Sequence, residues 1–528
     1  METVSLIDNF TQAAMFKEQI HLQTDGKDQN IYQAINCALH PRSIAVIGAS
    51  PDHLKIGTWI LRNIYLLGYE GKLFPINPRY SGEICGLQTY HSIFEVPGEV
   101  DLAVIVVPND RVLDVLGECA QKGVKVAILV SAGFAEFSDE GRDLQNKVKS
   151  FARDKGLRLI GPNCLGVVNP AYGLNTTTMP MMPSVGTVGF ISQSGGFAGQ
   201  TFLTARRINL GFSKIVNTGN EADLDTTDFL EYFGEDPQTR VIMMFVESIK
   251  RGRRFLELAQ KISREKPILC LKVGRTERGA KAALSHTGNI SGSHEIFKAA
   301  MRQAGVILPR NIEEMFEWAF ALANQPLPQG NRMGIVTNSG GPGVALVDAC
   351  LEHGLEVPEL PLQVQKRLKE ILAPNAITKN PVDLTFASDF GVYAKCVEIM
   401  FEEADIDGIL IYGVFGEDIW RHLLNMPNPT PKFRERLERV GIENLKYWSD
   451  TIAKTFTEAI PKIFQISKKY HKPIMTASTS APWEDAAIRS LPEHGIPFFR
   501  TPEAAAEAMA VMLKYSLHKK KQSNTGTN

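Results

Sequence analysis

The sequence predicts an α/β fold in which parallel sheets are covered by helices on both faces, and three observations predict it. Apolar runs short enough for buried strands alternate with amphipathic stretches, three times along the chain. Glycine-rich turns sit where a run gives way to a helical stretch. One such turn occurs twice in nearly the same wording, as Gly189-Phe190-Ile191-Ser192-Gln193-Ser194-Gly195-Gly196 and as Gly334-Ile335-Val336-Thr337-Asn338-Ser339-Gly340-Gly341.

The first series opens with the strand-like Ile44–Gly48 and the helical Gly57–Leu67, and continues with Leu73–Asn77. Asp101–Pro108 precedes Arg111–Gln121, Val124–Ser131 precedes Glu140–Lys155, and Leu157–Gly161 closes the set. This predicts a Rossmann-like domain over 38–170, preceded by a polar extension, 1–37, packed on it. A second series, 171–326, starts at Gly186-Thr187-Val188 and ends at the linker Gln325-Pro326-Leu327-Pro328-Gln329-Gly330. The third, 327–516, starts at Met333 and returns through Gly408–Val414, Lys472–Thr476 and Ile496–Phe499 to a last helix at Pro502–Tyr515. Residues 417–456, rich in charge and aromatics, read as an insertion, and 517–528 as a solvated, frayed tail. The repeated serine–glycine turn gives the second and third domains one shared plan, flavodoxin-like and doubly wound.

Composition excludes several classes of function. The 528 residues are 44% hydrophobic and 22% charged, ordinary for a soluble protein that buries several cores. A net charge of -1 offers no global attraction to nucleic acid or an anionic membrane, so any anion must be caught locally. No apolar run approaches the ~18 residues of a membrane span, and the N-terminus lacks the pattern of a signal peptide. Seven scattered cysteines without C-x-x-C spacing suggest neither zinc nor a disulfide framework, and a cytoplasmic location is expected.

Four constellations are candidates for chemistry. Gly48-Ala49-Ser50, with Lys55 and Gly57 at the next helix start, lets backbone approach a phosphate. The second strand then ends Asn77-Pro78-Arg79, where a dinucleotide site wants an acid, so a phosphorylated ribose such as that of CoA fits better than NAD. Strand ends at Pro108, Ser131–Phe134 and Gly161–Gly166 lie on the same ligand-binding edge; Cys164 there reads as a small buried residue. Ser194-Gly195-Gly196 and Ser339-Gly340-Gly341 each open a helix whose free N–H groups and partial positive charge suit a phosphoryl group. Ala282–Ser293 is a loop of small residues around His286, and an imidazole there is a candidate phosphoryl carrier. Glu247, ending the apolar strand Val241–Val246, is placed to hydrogen-bond one imidazole nitrogen and free the other. Asp223, Asp225 and Asp228 raise Mg²⁺ as an idea, which turn formation and helix capping explain more cheaply; no metal site is assigned.

Taken together, Ser285-His286-Thr287-Gly288, the Ser194-Gly195-Gly196 turn, Gly161-Pro162-Asn163-Cys164-Leu165-Gly166, Gly219-Asn220-Glu221-Ala222-Asp223 and Asn380-Pro381-Val382-Asp383-Leu384 resemble the α subunits of ADP-forming acetate–CoA ligases, in the NDP-forming acyl-CoA synthetase superfamily that includes succinyl-CoA synthetase. The resemblance covers roughly 36–516. It implies a CoA-binding Rossmann-like domain followed by two flavodoxin-like ones. It also implies that acyl-CoA, ADP and phosphate are interconverted with a carboxylic acid, acetate or a similar short one, CoA and ATP. By resemblance His286 is the phosphohistidine and Glu247 its stabilising carboxylate. Ser194, Gly195, Gly196, Ser339, Gly340 and Gly341 would cradle phosphate, and Gly48, Ser50, Lys55, Gly57, Asn77, Arg79 and Pro108 would line the CoA site. With no G-x-x-x-x-G-K-[ST] loop and no segment left for an ATP-grasp domain, ADP or ATP with Mg²⁺ is expected on a separate β subunit, in a hetero-oligomer. The rival readings are an NAD-dependent oxidoreductase and a non-catalytic acyl-CoA-binding scaffold.

Overall fold

A computed structural model describes residues 29–276, 278–279, 294–385, 391–413, 430–479 and 486–525. The strands are β1 (Ser43–Ile47), β2 (Lys72–Ile76), β3 (Glu83–Ile84), β4 (Leu87–Gln88), β5 (Leu102–Ile105), β6 (Val126–Leu129) and β7 (Arg158–Ile160). They continue with β8 (Gly166–Asn169), β9 (Leu174–Asn175), β10 (Val185–Ser192), β11 (Phe212–Asn217), β12 (Val241–Val246) and β13 (Ile268–Lys272). The last five are β14 (Met333–Thr337), β15 (Val382–Asp383), β16 (Gly408–Tyr412), β17 (Ile474–Ala477) and β18 (Phe498–Phe499).

Three larger sheets result, ordered β2-β1-β5-β6-β7, β13-β12-β10-β11-β8-β9 and β15-β14-β16-β17-β18; β3 and β4 form a small hairpin. The first and third are parallel throughout, and the second is parallel except for β8 and β9. In each, the first parallel strand lies between the second and the third, so the winding reverses there and opens a crevice at the carboxyl edge. These are the doubly wound sheets that the alternation of runs predicted.

Successive strand residues face opposite ways, and this divides the core into layers. Ala45 and Ile47 pack beneath the helices Val112–Lys122 and Asp139–Asp154. Ile44 and Val46 share a core with Ile191 and Met244 of the second sheet, together with Leu230 and Phe233 of the helix Thr226–Glu235. On the far side of the second sheet, Phe190 and Met243 share a core with Ile335 and Leu410 of the third, through Trp318 and Phe320 of Ile312–Asn324 and Met509 of Pro502–Thr525. Val336 and Ile409 face the last layer, the helices Gly391–Glu403 and Ile442–Tyr470. Sheets and helical layers therefore alternate through the molecule.

Three features go beyond the sequence reading. The helix Gln29–Leu39 places Ala34, Ile35, Ala38 and Leu39 in the core shared by the first two sheets. The expected insertion holds the helix Pro431–Val440 and the start of Ile442–Tyr470, whose Ala459, Ile460 and Ile463 are buried, so much of it belongs to the crossover from β16 to β17; residues 414–429 lie outside the described ones. The tail does not fray at residue 517: the helix continues to Thr525, with His518 3.2 Å from the Ser263 hydroxyl and Lys520 donating to the Gln329 carbonyl. Lysines extend it because they form helices readily. Among the described residues, no helix is long and apolar enough to cross a membrane.

Candidate active site

At the first crevice, between β1 and β5, two glycines let three segments meet. Gly48 has φ +100°, and a Cβ there would lie 2.4 Å from the Val106 carbonyl oxygen. A Cβ on Gly57 would lie 2.2 Å from the Gly48 oxygen, so the helix Ile56–Leu66 starts hard against the β1 turn. Asn77 donates to the Ala49 carbonyl at 2.7 Å and accepts from the Arg79 N–H at 2.9 Å, tying the end of β2 to the same turn. The Ser50 hydroxyl accepts from the Asp52 N–H. Lys55, Arg79 and Pro108 are exposed, at the helix start and at the ends of β2 and β5. Leu54 and Ile56, which the sequence reading passed over, add exposed apolar surface beside Lys55. Cys164 is buried, donates to the Leu129 carbonyl, and its thiol is pushed up to about 12 by burial. It is no nucleophile.

The second and third crevices share one design. The Ser192 hydroxyl donates to the Ser194 carbonyl at 2.9 Å, and the Thr337 hydroxyl to the Ser339 carbonyl at 2.8 Å. The intervening amides reach across to the neighbouring strand end, Gln193 to the Ser248 carbonyl and Asn338 to the Gly413 carbonyl. Cβ atoms on Gly195 and Gly340 would each sit 3.4 Å from a side chain on the other flank, Asn217 and Asp383 respectively; Gly196 and Gly341 face open space. An amide residue between two hydroxyl residues, Ser192-Gln193-Ser194 and Thr337-Asn338-Ser339, is a signal for Gln193 and Asn338 that the sequence analysis did not use.

The two helix starts differ in one respect. Ser194 caps Gly195–Arg207 by accepting from the Phe197 N–H at 3.4 Å. Ser339 makes no capping bond to Gly340–Glu352, because Pro342 stands where Phe197 stands and has no N–H.

Glu247 follows β12 and is buried, its N–H donating to Gln193 Oε1 at 2.6 Å and its carbonyl accepting from Lys272 Nζ at 2.9 Å. His286 lies outside the described residues. In the chain it follows β13, whose Lys272 is the register partner of Val246, and precedes the helix His294–Gln303. The three aspartates are occupied: Asp225 and Asp228 form a capping box on Thr226–Glu235 and pair with Arg251, while Asp223 binds Arg153 and Arg158.

Family profiles match in the order of the three sheets: a CoA binding domain over residues 42–170, a succinyl-CoA ligase like flavodoxin domain over 185–322 and a ligase-CoA domain over 333–428. Acetate–CoA ligase (ADP-forming) I subunit alpha of Pyrococcus furiosus is 37% identical over 496 residues, covering 92% of this chain and 99% of the relative. The chain belongs to the ADP-forming acyl-CoA synthetases. Within that family, 4-hydroxybutyrate–CoA ligase (ADP-forming) of Nitrosopumilus maritimus is 32% identical over 483 residues, 90% of this chain and 64% of the relative. Acetate–CoA ligase (ADP-forming) of Methanocaldococcus jannaschii is 43% identical over 345 residues, and the match spans only 48% of its length. The dinucleotide forming acetyl-coenzyme A synthetase 1 of Ca. Korarchaeum cryptofilum, solved with phosphate and ADP, superposes with a TM-score of 0.78 at 33% identity, covering 92% of this chain and 98% of that one.

Proposed function

We propose that this acyl-CoA synthetase chain binds CoA at the first crevice and relays phosphate through His286 at the second, with acetate or a similar short acid as its acyl substrate. Gly48, Ser50, Lys55, Gly57, Asn77, Arg79 and Pro108 line the CoA site: backbone approaches the phosphates at the glycines, and the two cations meet the phosphorylated ribose. Phosphate rests between the helix starts at Ser194–Gly196 and Ser339–Gly341, where two partial positive ends and unbonded N–H groups stabilise it. A phosphate oxygen attacks the thioester carbon, the carbon–sulfur bond breaks, and CoA leaves as the thiolate, giving an acyl phosphate. One His286 nitrogen then attacks phosphorus and expels the carboxylate, while the Glu247 carboxylate holds the other nitrogen's proton. The loop carries the phosphoryl group to ADP, whose terminal oxygen takes it to make ATP, and each step reverses.

Three units divide this work: 38–170 for CoA, 171–326 for the relay, and 327–516 for the second phosphate cradle. An ATP-grasp β subunit supplies the nucleotide site, and Mg²⁺ bound there neutralises the polyphosphate. The reading of a partner is supported by the relatives' lengths: the chain spans nearly all of a relative called subunit alpha, but about half of the Methanocaldococcus ligase. Acetate is favoured because the relatives at 37% and 43% identity are acetate–CoA ligases, against 32% for the 4-hydroxybutyrate enzyme.

The observation that carries the relay is the place of buried Glu247: it follows β12, which pairs with β10, the strand that feeds the Ser194 helix start, and with β13, the last strand before His286 in the chain. Mixing the full chain with its nucleotide-binding partner, Mg²⁺ and ATP labelled in its terminal phosphate should place acid-labile, base-stable label on this chain. His286→Ala should abolish the label and turnover, and the chain alone should not turn over. Label retained in His286→Ala would sink the relay.

A further inference from the structure

Gln193 stands between Ser192 and Ser194, and its buried amide uses its full hydrogen-bonding capacity inside the protein. Oε1 accepts the N–H of Glu247 at 2.6 Å and that of Ser248 at 3.1 Å; Nε2 donates to the Ser248 carbonyl at 2.7 Å and to the Thr226 hydroxyl at 3.3 Å. A flipped amide would set its NH₂ against two N–H donors, so this orientation is dictated by its partners. Thr226 is fixed in turn, its N–H and hydroxyl both donating to Glu221 Oε1. Glu221 is itself buried, with φ +55°.

The sheet cannot hold Glu247 by its own ladder. β10 stops at Ser192 and β12 at Val246, so the peptide groups of Glu247 and Ser248 lie past the last strand pairing and need other partners. Gln193 supplies them from one side and Lys272 from the other. In the third sheet Asn338 donates to the Gly413 carbonyl, and among the described residues its Oδ1 has no hydrogen-bond partner. In the second sheet the amide is satisfied at both ends, and there a carboxylate follows the strand.

We propose that Gln193 is a positioning residue for phosphoryl transfer, fixing Glu247 relative to the Ser194–Gly196 helix start. This rests on the assignment of His286 and Glu247 above. The charged groups around the clip are Glu221, Asp225 and Glu247, with Lys250, Arg251 and Lys272 as the cations.

The test uses the full chain with its nucleotide-binding partner, Mg²⁺ and labelled ATP. Gln193→Glu keeps both acceptors but sets a carboxylate oxygen against the Ser248 carbonyl. At pH 8 its labelling rate per folded molecule should fall roughly 10- to 100-fold, with CoA affinity unchanged. The ratio to wild type should climb as pH is lowered toward about 5, because a protonated carboxyl regains a donor for that carbonyl. Gln193→Leu, which cannot recover, should be slow throughout. Thermal unfolding of each variant gives the folded fraction. Wild-type rates per folded molecule in both variants, or a loss in Gln193→Glu that ignores pH, would overturn the proposal. Absence of label in wild type with an active partner would instead overturn the relay, and this proposal with it.

Discussion

Glu317 illustrates how one side chain is set by its surroundings. It lies on Ile312–Asn324 between the second and third sheets, and burial, with Glu313, Glu314 and Glu507 nearby, pushes its carboxyl up to about 8. A carboxyl raised on folding holds its proton longer in the folded state than in the unfolded one. Its contribution is complete below the unfolded value of about 4.3 and is lost as pH rises through the folded value. Glu317→Gln should therefore stabilise the protein by roughly 1–3 kcal/mol near pH 7.5, with the two forms converging by pH 4.5; denaturant midpoints across that range measure it. Glu221 is raised in the same direction, burial being the larger cause. Neither shift was legible in the sequence, because the largest cause of each is burial, which other segments of the chain create. The odd geometry of Gly48 was legible, since a glycine after a first strand marks a close approach.

At the scale of elements, the contact between the β1 turn and the helix Ile56–Leu66 decides the first crevice. An alanine Cβ at position 57 would lie 2.2 Å from the Gly48 oxygen and 2.9 Å from its carbon, and both are backbone. Gly57→Ala must push the helix start away from the turn, so CoA affinity should weaken at least about tenfold, measured by calorimetry. Gly117→Ala is the matched control: its nearest neighbour would be Phe151 Cζ at 3.7 Å, ordinary contact, and CoA affinity should not change. Strand and helix positions were readable within a few residues wherever apolar runs were short and bounded. The last helix was read too short, because its polar end, Lys519–Lys521, carries no apolar period to reveal it. The stretch 417–456 reads as separate because its charge hides the start of a helix whose Ala459, Ile460 and Ile463 join the core.

Across the whole molecule, the first and second sheets are joined by a buried ion cluster as well as a common core. Asp223, following β11, accepts from Arg158 of β7 at 2.7 and 3.1 Å, from Arg153 at 2.8 Å and from the Leu159 N–H at 3.1 Å. Burial alone would raise this carboxyl, but Arg158 first and then Arg153 hold it below the ordinary value. A depressed carboxyl gives stability that is present above the unfolded value of about 3.9 and is lost as pH falls through the lower folded one. Asp223→Asn should cost about 3–5 kcal/mol at neutral pH, since it leaves the nearly buried Arg158 without its charge partner, and its stability should vary less with pH in the acid range. Thermal unfolding across acid and neutral pH reports both effects. A joint this strong keeps the first and second crevices in one frame.

The sequence by itself determined the doubly wound α/β class and the glycine turns, because hydrophobic period and backbone freedom are local properties that need no partner to be read. The ordered motifs also fixed the family, which the comparisons bear out over nearly the whole chain. Only the tertiary structure decided how the sheets share helical layers, that Asp223 joins two of them, and that Gln193 rather than the sheet ladder holds Glu247. Those are meetings of residues far apart in the chain, and their energies come from burial and hydrogen-bond geometry that no local pattern encodes.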